Sequence, residues 1–409
     1  MKRLFAIALG ILTAIGGFVD IGDLVTSALT GSRFGLSLAW ATLIGVVGIC
    51  LYAEMSGRVA AVTGRGTFDL VRERLGPRAG LANLAASFLV TALTFCAEIG
   101  GIALSLELAT SVNYLLWVPM LGLAMWFMIW RVKFSILENG FGLLGLSLLV
   151  FGVALWQLHP NWGDLLHQVA VPHKPSNEGT PVYFYYAIAL FGSAMTPYEV
   201  FFFSSGGVEE KWTTKDIVTM RTNVFIGFPL GGALSVSIAA VAALVLMPRN
   251  IVVDSLGQSA LPVAVASGKV ALAIAILGFV AATFGAALET GLSCGYSAAQ
   301  YFGWQWGKFV RPREAGRFHL VVLLTIIAAI GGVLTTIDPV KVTEYSVVFS
   351  AVALPLTYFP ILVIANDRDY MGDKKNGRIT NTLATVFFII IVVASGAAVP
   401  LMIWTKAGQ

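Results

Sequence analysis

Eleven stretches of the chain run without a single Asp, Glu, Lys or Arg. They are Leu4–Val19, Phe34–Ala53, Ala79–Ala97, Leu108–Trp130, Asn139–Leu158, Gly179–Tyr198, Thr222–Pro248, Val270–Leu288, Phe318–Ile337, Tyr345–Asn366 and Ile379–Thr405, each 16 to 27 residues long. A helix that crosses a bilayer needs ~20 mostly apolar residues, so the pattern predicts eleven membrane helices, spans 1 to 11. Spans 1 and 6 continue past a charge through Leu24–Thr30 and Val200–Ser205, the third past Glu98 and the eighth past Glu289. Runs of this length without alternation exclude a transmembrane β-barrel. The start, Met1-Lys2-Arg3, resembles a signal peptide, but no small-residue cleavage site precedes Asp20 and ten further spans follow, so Leu4–Val19 reads as the first membrane helix.

Composition supports this reading. Hydrophobic residues make up 57% of the 409 residues and charged ones 12%, too little polar surface to cover a soluble fold of this size. A soluble enzyme, a nucleic-acid binder and a disordered scaffold are excluded, and the net charge of +4 adds nothing for nucleic acid because the basic residues sit in short loops. The glycines, 43 in all, suit close helix packing in lipid. Cys50, Cys96 and Cys294 lie far apart inside apolar runs and are expected to pack as small hydrophobes, without a disulfide or a thiolate metal cluster. No loop is long enough for a domain. The longest, His159–Pro181, holds His159, His167 and His173, which either bind a metal outside or are solvated imidazoles of a structured loop. The whole chain, 1–409, is expected to form one membrane domain.

Charge in the loops orients the chain. With the N-terminus inside, 20 of the 26 Lys and Arg fall in inner segments and six outside. The positive-inside rule then puts the N-terminus in the cytoplasm and the C-terminus outside, in a plasma membrane such as the bacterial inner membrane.

Two spans carry chemistry. Charges deep in a membrane helix are costly and mark function by default. Span 1 carries Asp20-Ile21-Gly22-Asp23, and span 6 carries Ser193-Ala194-Met195-Thr196-Pro197-Tyr198-Glu199. Gly22 and Pro197 let a membrane helix unwind and turn carbonyls toward a protein-lined cavity. Each motif lies deep in its span, and spans 1 and 6 run in opposite directions. The parity fits two five-helix halves of inverted topology, about 4–158 and 179–366, with an added helix at about 379–405. In such transporters the paired broken helices build the binding site near the midplane. The alternative is a pair of acids at a helix end and a structural proline kink. Glu54 and Glu107 sit near span ends, where a neighbour such as Arg58 explains them, and Glu289 is deeper.

These motifs resemble the Nramp family, divalent-metal transporters with a LeuT-type fold. The family's Asp-Pro-Gly-Asn of the first helix reads Asp20-Ile21-Gly22-Asp23 here, and its Met-Pro-His of the sixth reads Thr196-Pro197-Tyr198. Val62-Thr63-Gly64-Arg65 with Leu70-Val71-Arg72-Glu73-Arg74 resembles the loop after span 2. Leu354-Pro355-Leu356 through Asn366-Asp367-Arg368, with Met371-Gly372, resembles the end of span 10. The likeness covers spans 1 to 10 and implies an all-α membrane protein with a five-plus-five inverted repeat, eleven helices and breaks in helices 1 and 6. It also implies no enzyme activity and no cofactor, the metal being substrate, with lipid as the other partner and the oligomeric state open, a monomer included.

Carried over, the family's ligands become Asp20, Asp23, the Ser193 carbonyl and Thr196. A thioether has become a hydroxyl and an amide a carboxylate, as in a branch resembling the family's magnesium transporters. Oxygen-only sites suit Mg²⁺, Ca²⁺ or Mn²⁺, so Mg²⁺ is the expected ion, with Mn²⁺ also carried. Met195 restores a sulfur only if the register slips by one residue, about 100° around a helix. The family's span 3 acid pair reads Phe95 and Glu98, and its histidine reads Tyr198. Glu98 is then either a proton carrier or a buried hydrogen-bonded acid, and transport is expected without proton coupling. Glu199 would add negative potential if it faces inward, and Ala353, in place of a glutamine, would widen the cavity. The competing readings are an organic-cation or polyamine transporter on the same scaffold and a non-transporting sensor.

Overall fold

The computed structural model describes residues 11, 18–132, 134–176, 178–335 and 337–408. The described elements are helical: α1 Ile21–Phe34, α2 Ala39–Thr63, α3 Thr67–Leu75, α4 Pro77–Thr110, α5 Tyr114–Arg131, α6 Phe134–Gly145, α7 Val150–Gln157, α8 Trp162–Ala170, α9 Thr180–Ala194, α10 Pro197–Glu209, α11 Ile217–Val245, α12 Leu256–Phe302, α13 Gly316–Leu334, α14 Pro339–Asn366, α15 Arg368–Met371 and α16 Arg378–Trp404. Ten helices among the described residues are long and apolar enough to cross a membrane, α6–α7 and α9–α10 each counting as one. They correspond to spans 2 to 11. Span 1 is described from Phe18 onward, together with Ile11; the rest of Leu4–Val19 lies outside the described residues.

Helix ends follow capping rather than charge-free runs. Phe34 closes α1, and Gly35 at φ 62° caps it, so span 2 starts at Ala39 and not at Phe34. Span 2 then runs ten residues past Ala53 to Thr63, through Glu54 and Arg58, because these two pair within the helix at 3.0 Å. Leu108 belongs to α4, which Ser111 ends in the left-handed region, and α5 starts at Tyr114 beneath an Asn113 cap. Gly268, φ 82°, breaks α12 just before the apolar run of span 8.

The core is built by helices that approach closely. α12 runs along α4, α11 along α1, and α14 along both α4 and α16. Where α1 crosses α11, a Cβ on Gly31 would collide with the Ala239 carbonyl, so only glycine permits the contact. Lipid-type exposure falls on α5, α13 and α16, whose apolar faces carry Leu123, Leu324 and Val393 outward. Spans 1, 6, 3 and 8 are left in the interior, where the acids lie.

Both faces carry ion pairs. On the arginine-rich face Glu54 takes Arg58 at 3.0 Å and Arg221 at 2.8 Å, and Arg58 donates to Asn376 Oδ1 at 2.6 Å and to the Lys374 carbonyl. Arg74 reaches Asp367 at 2.6 Å. On the opposite face Arg33 pairs with Glu178 and donates to the Gly408 carbonyl at 2.7 Å. The loop after span 5 is structured by α8, and His159, His167 and His173 are all exposed.

Candidate functional site

Each half of the site begins at a helix start. Asp20 is extended (φ −99°, ψ −176°) and its Oδ1 accepts the Asp23 N–H at 3.0 Å, which is an N-cap bond. Span 1 is therefore interrupted at Val19–Asp20, with α1 its second half. A Cβ on Gly22 would stand 2.8 Å from Val347 Cγ1 and 2.9 Å from Asp20 Oδ1. Glycine is needed there for the cap carboxylate to fold back while α14 packs close. In span 6, α9 ends at Ala194, and Met195 (φ −122°, ψ 46°) and Thr196 (φ −60°, ψ 131°) leave the helix before Pro197 opens α10. Proline disfavours a helical residue before it and has no N–H to miss at a helix start.

The two breaks touch. Ser193 Oγ, in the last turn of α9, donates to Asp23 Oδ1 at 2.6 Å. The Tyr198 hydroxyl, in the first turn of α10, donates to Asp20 Oδ2 at 3.4 Å. Ser235 of α11 stands beside Asp23, and Ser293 of α12 donates to the Tyr198 carbonyl at 3.4 Å. Asp20 and Asp23 are 2% and 0% exposed, so both carboxyls are out of water. Asp23 Oδ2 has no hydrogen-bond partner. Thr196 is buried at the start of α10, and its side chain makes no cap bond. Buried carboxylates without a counter-charge are costly. The arrangement therefore offers acidic and hydroxyl oxygens to something positive. Among the described residues no three His, Cys, Asp or Glu converge as a ready-made metal cluster, so a bound cation would draw on two carboxylates plus hydroxyl and carbonyl oxygens.

The remaining candidates separate. Glu98 of α4 is fully buried, and its Oε1 accepts the Ile21 N–H at 3.1 Å, a donor freed by the break in span 1, while Oε2 has no partner. The Met195 sulfur packs on Gly48 of α2, where a Cβ would stand 2.6 Å from it, with Phe387 of α16 alongside. Its carbonyl accepts the Tyr358 hydroxyl at 3.2 Å. Ala353 is buried on α14, but the residues of that helix against Gly22 and Gly192 are Val347 and Ala351. Glu199 is buried and lies beside Glu289 of α12. Ser235, Ser293, Val347 and Tyr358 escape sequence reasoning. Serines are common in membrane helices, and an apolar contact such as Val347 leaves no trace in a single sequence.

The architecture is that of LeuT-type membrane transporters. A manganese transporter of Eremococcus coleocola aligns over 99% of this chain and 94% of its own at TM-score 0.73 and 17% identity. Mhp1, a nucleobase-cation-symport-1 family transporter, aligns over 97% and 92% at TM-score 0.62 and 15% identity. Among curated relatives, the divalent metal cation transporter MntH of Aeromonas hydrophila is 22% identical over 92% of this chain and 91% of its own length. MntH of Deinococcus radiodurans is 24% identical over 93% and 86%. The family model described as natural resistance-associated macrophage protein-like matches residues 10–400. The chain belongs to the Nramp family, and it is a multi-pass membrane transporter, not an enzyme; the family carries metal as cargo and implies no cofactor.

Proposed function

We propose that this transporter moves divalent metal ions by alternating access, Mg²⁺ above all and Mn²⁺ as well, through a site made of Asp20, Asp23, the Ser193 carbonyl and Thr196. The observation that carries this reading is the meeting of Asp20 and Asp23 with the break in span 6, in surroundings of hydroxyls and backbone groups. The relatives' names point to divalent metal, and the chemistry here narrows the class. Thr196 supplies a hydroxyl where the family has a thioether, and the Met195 sulfur packs on Gly48. Oxygen donors suit Mg²⁺ and Mn²⁺, and Mg²⁺ keeps several waters while bound through one or two carboxylates.

Transport proceeds in this reading without an obligatory proton moving alongside the ion. Phe95 leaves one acid where the family has a pair on span 3, and that acid, Glu98, is engaged with the Ile21 N–H. The N-terminus lies in the cytoplasm and the C-terminus outside, with 4–158 and 179–366 as the inverted repeats of a single membrane domain. Uptake of Mg²⁺ and Mn²⁺ into liposomes holding purified protein tests the reading. Saturable uptake of both ions, lost in Asp20→Asn, is expected. Uptake of Cd²⁺ with neither Mg²⁺ nor Mn²⁺ moving would overturn it.

A further inference from the structure

Near the end of span 2, where spans 7 and 11 begin, the arginine-rich face holds a cavity of about 280 Å³. Its cations come from three places: Arg58 of α2, Arg221 of α11, and Lys374 and Lys375 in the segment before α16. Arg58 is buried and fixed in position. It pairs with Glu54 at 3.0 Å and donates to Asn376 Oδ1 at 2.6 Å and to the Lys374 carbonyl. Arg221 meets the same Glu54 at 2.8 Å, so one carboxylate serves two guanidinium groups. Among the described residues neither Lys374 nor Lys375 has an ion-pair partner. Asp373 also lies on the cavity wall. With Glu54 it makes two acids against four cations, which leaves two positive charges in excess. Thr214 and Thr380 add hydroxyls to the wall. A fixed guanidinium, two ammonium groups and hydroxyl donors together suit a phosphate group.

We propose that this cavity binds the phosphate of an anionic phospholipid from the leaflet on that side. Its place at the ends of membrane helices favours a lipid over a phosphate free in solution. Val218 of α11 lines the cavity and is exposed, and Phe225, seven residues further into the span, is exposed on the same helix face. On α16, Ile379 stands beside the cavity residue Thr380, and Leu383 and Val386 continue its exposed face at helical spacing. Acyl chains attached to a phosphate held here therefore run down apolar helix surface, which a soluble phosphate would leave uncovered. Basic pockets between membrane helices recognise anionic headgroups in this way. The headgroup ties the start of α11 to the segment before α16, as Glu54 already ties α11 to α2. None of this depends on which ion is carried or how it is coupled.

The test is calorimetric titration of the purified full-length protein in neutral detergent with dioctanoyl phosphatidylglycerol, dioctanoyl phosphatidylcholine and inorganic phosphate. Saturable binding of phosphatidylglycerol is expected, with phosphatidylcholine and inorganic phosphate far weaker. Lys374→Gln combined with Lys375→Gln leaves the Arg58–Glu54–Arg221 cluster intact and removes two exposed charges, so the variant should fold with the wild-type thermal midpoint. Its affinity for phosphatidylglycerol should fall about fivefold for each charge, roughly 25-fold in all. Arg311→Gln combined with Arg313→Gln removes two exposed charges outside the cavity and should leave that affinity unchanged. Equal losses in the two double variants would show attraction to the face as a whole and overturn the site. Wild-type affinity in the lysine variant, or phosphatidylcholine bound as tightly as phosphatidylglycerol, overturns it as well. Inorganic phosphate bound as tightly as phosphatidylglycerol overturns the lipid in favour of a soluble phosphate.

Discussion

Asp20 and Asp23 each do two things at once. Asp20 caps α1 and accepts from Tyr198; Asp23 accepts from Ser193 and leaves one oxygen unpartnered. A charge-assisted bond contributes about 1.5–3 kcal/mol, so losing one carboxylate ligand should weaken ion binding by about 10- to 100-fold. Asp20→Asn keeps a cap oxygen and should fold, yet its uptake should drop by that factor; unchanged uptake in both Asp20→Asn and Asp23→Asn would remove the site assignment. On the proposed reading, Thr196 sets the preference for hard ions. Thr196→Met returns a soft donor, so the ratio of Cd²⁺ to Mg²⁺ uptake should rise. A ratio that does not move would mean that Thr196 is not a ligand. The acids, Gly22 and Pro197 were legible in the sequence because a charge or a helix breaker inside an apolar run is conspicuous. The nearness of Glu199 to Glu289, 90 residues apart, was not, because it depends on how α10 lies against α12.

At the scale of elements, the breaks depend on close approach and the faces on ion pairs. Gly22→Ala should force Asp20 or Val347 aside, a strain of about 1–3 kcal/mol, and lower both the thermal midpoint and uptake. Gly206→Ala, whose added Cβ meets nothing within 4 Å, is the control and should leave the midpoint unchanged or higher. Equal effects from the two changes would show that Gly22 has no special role. The span count was legible because a bilayer demands long charge-free runs, whereas the ends at Phe34 and Gly268 were not, since capping and backbone φ decide them. Charge inside a helix also hid the end of span 2, at Glu54. Its expected partner Arg58 is there, but the helix runs on past it, and Glu54 is buried between Arg58 and Arg221, tying α2 to α11 and, through Asn376, to the segment before α16. Leaving Arg58 buried without Glu54 should cost about 3–5 kcal/mol, so Glu54→Gln should lower thermal stability markedly. The exposed Arg65–Glu73 pair should matter little. A smaller loss for Glu54→Gln than for Glu73→Gln would contradict this ranking.

For the molecule as a whole, the decisive quantities are the sidedness of its charge and the sidedness of its protons. The Arg58–Glu54–Arg221 cluster and the Arg74–Asp367 pair both lie on the face that the lysine and arginine count assigns to the cytoplasm. If that assignment holds, alkaline phosphatase fused after the C-terminus should be active when the protein is made in a bacterium, and a fluorescent protein fused there should stay dark. The reverse pattern would invert the orientation. The direction of proton movement then separates transport schemes that share one fold. A family-type symport carries protons with the metal and acidifies the liposome lumen in step with uptake. Here the span 3 acid is a single glutamate held by a backbone N–H, and the span 6 histidine is a tyrosine whose hydroxyl donates to Asp20. Tyrosine, with a reference pKa near 10, is a poor relay at neutral pH. Mn²⁺ uptake driven by a membrane potential should therefore proceed with no lumen acidification. A pH-sensitive dye in the lumen reads the difference. Stoichiometric acidification that disappears in Glu98→Gln would restore Glu98 as a proton carrier and rule out transport without a co-moving proton.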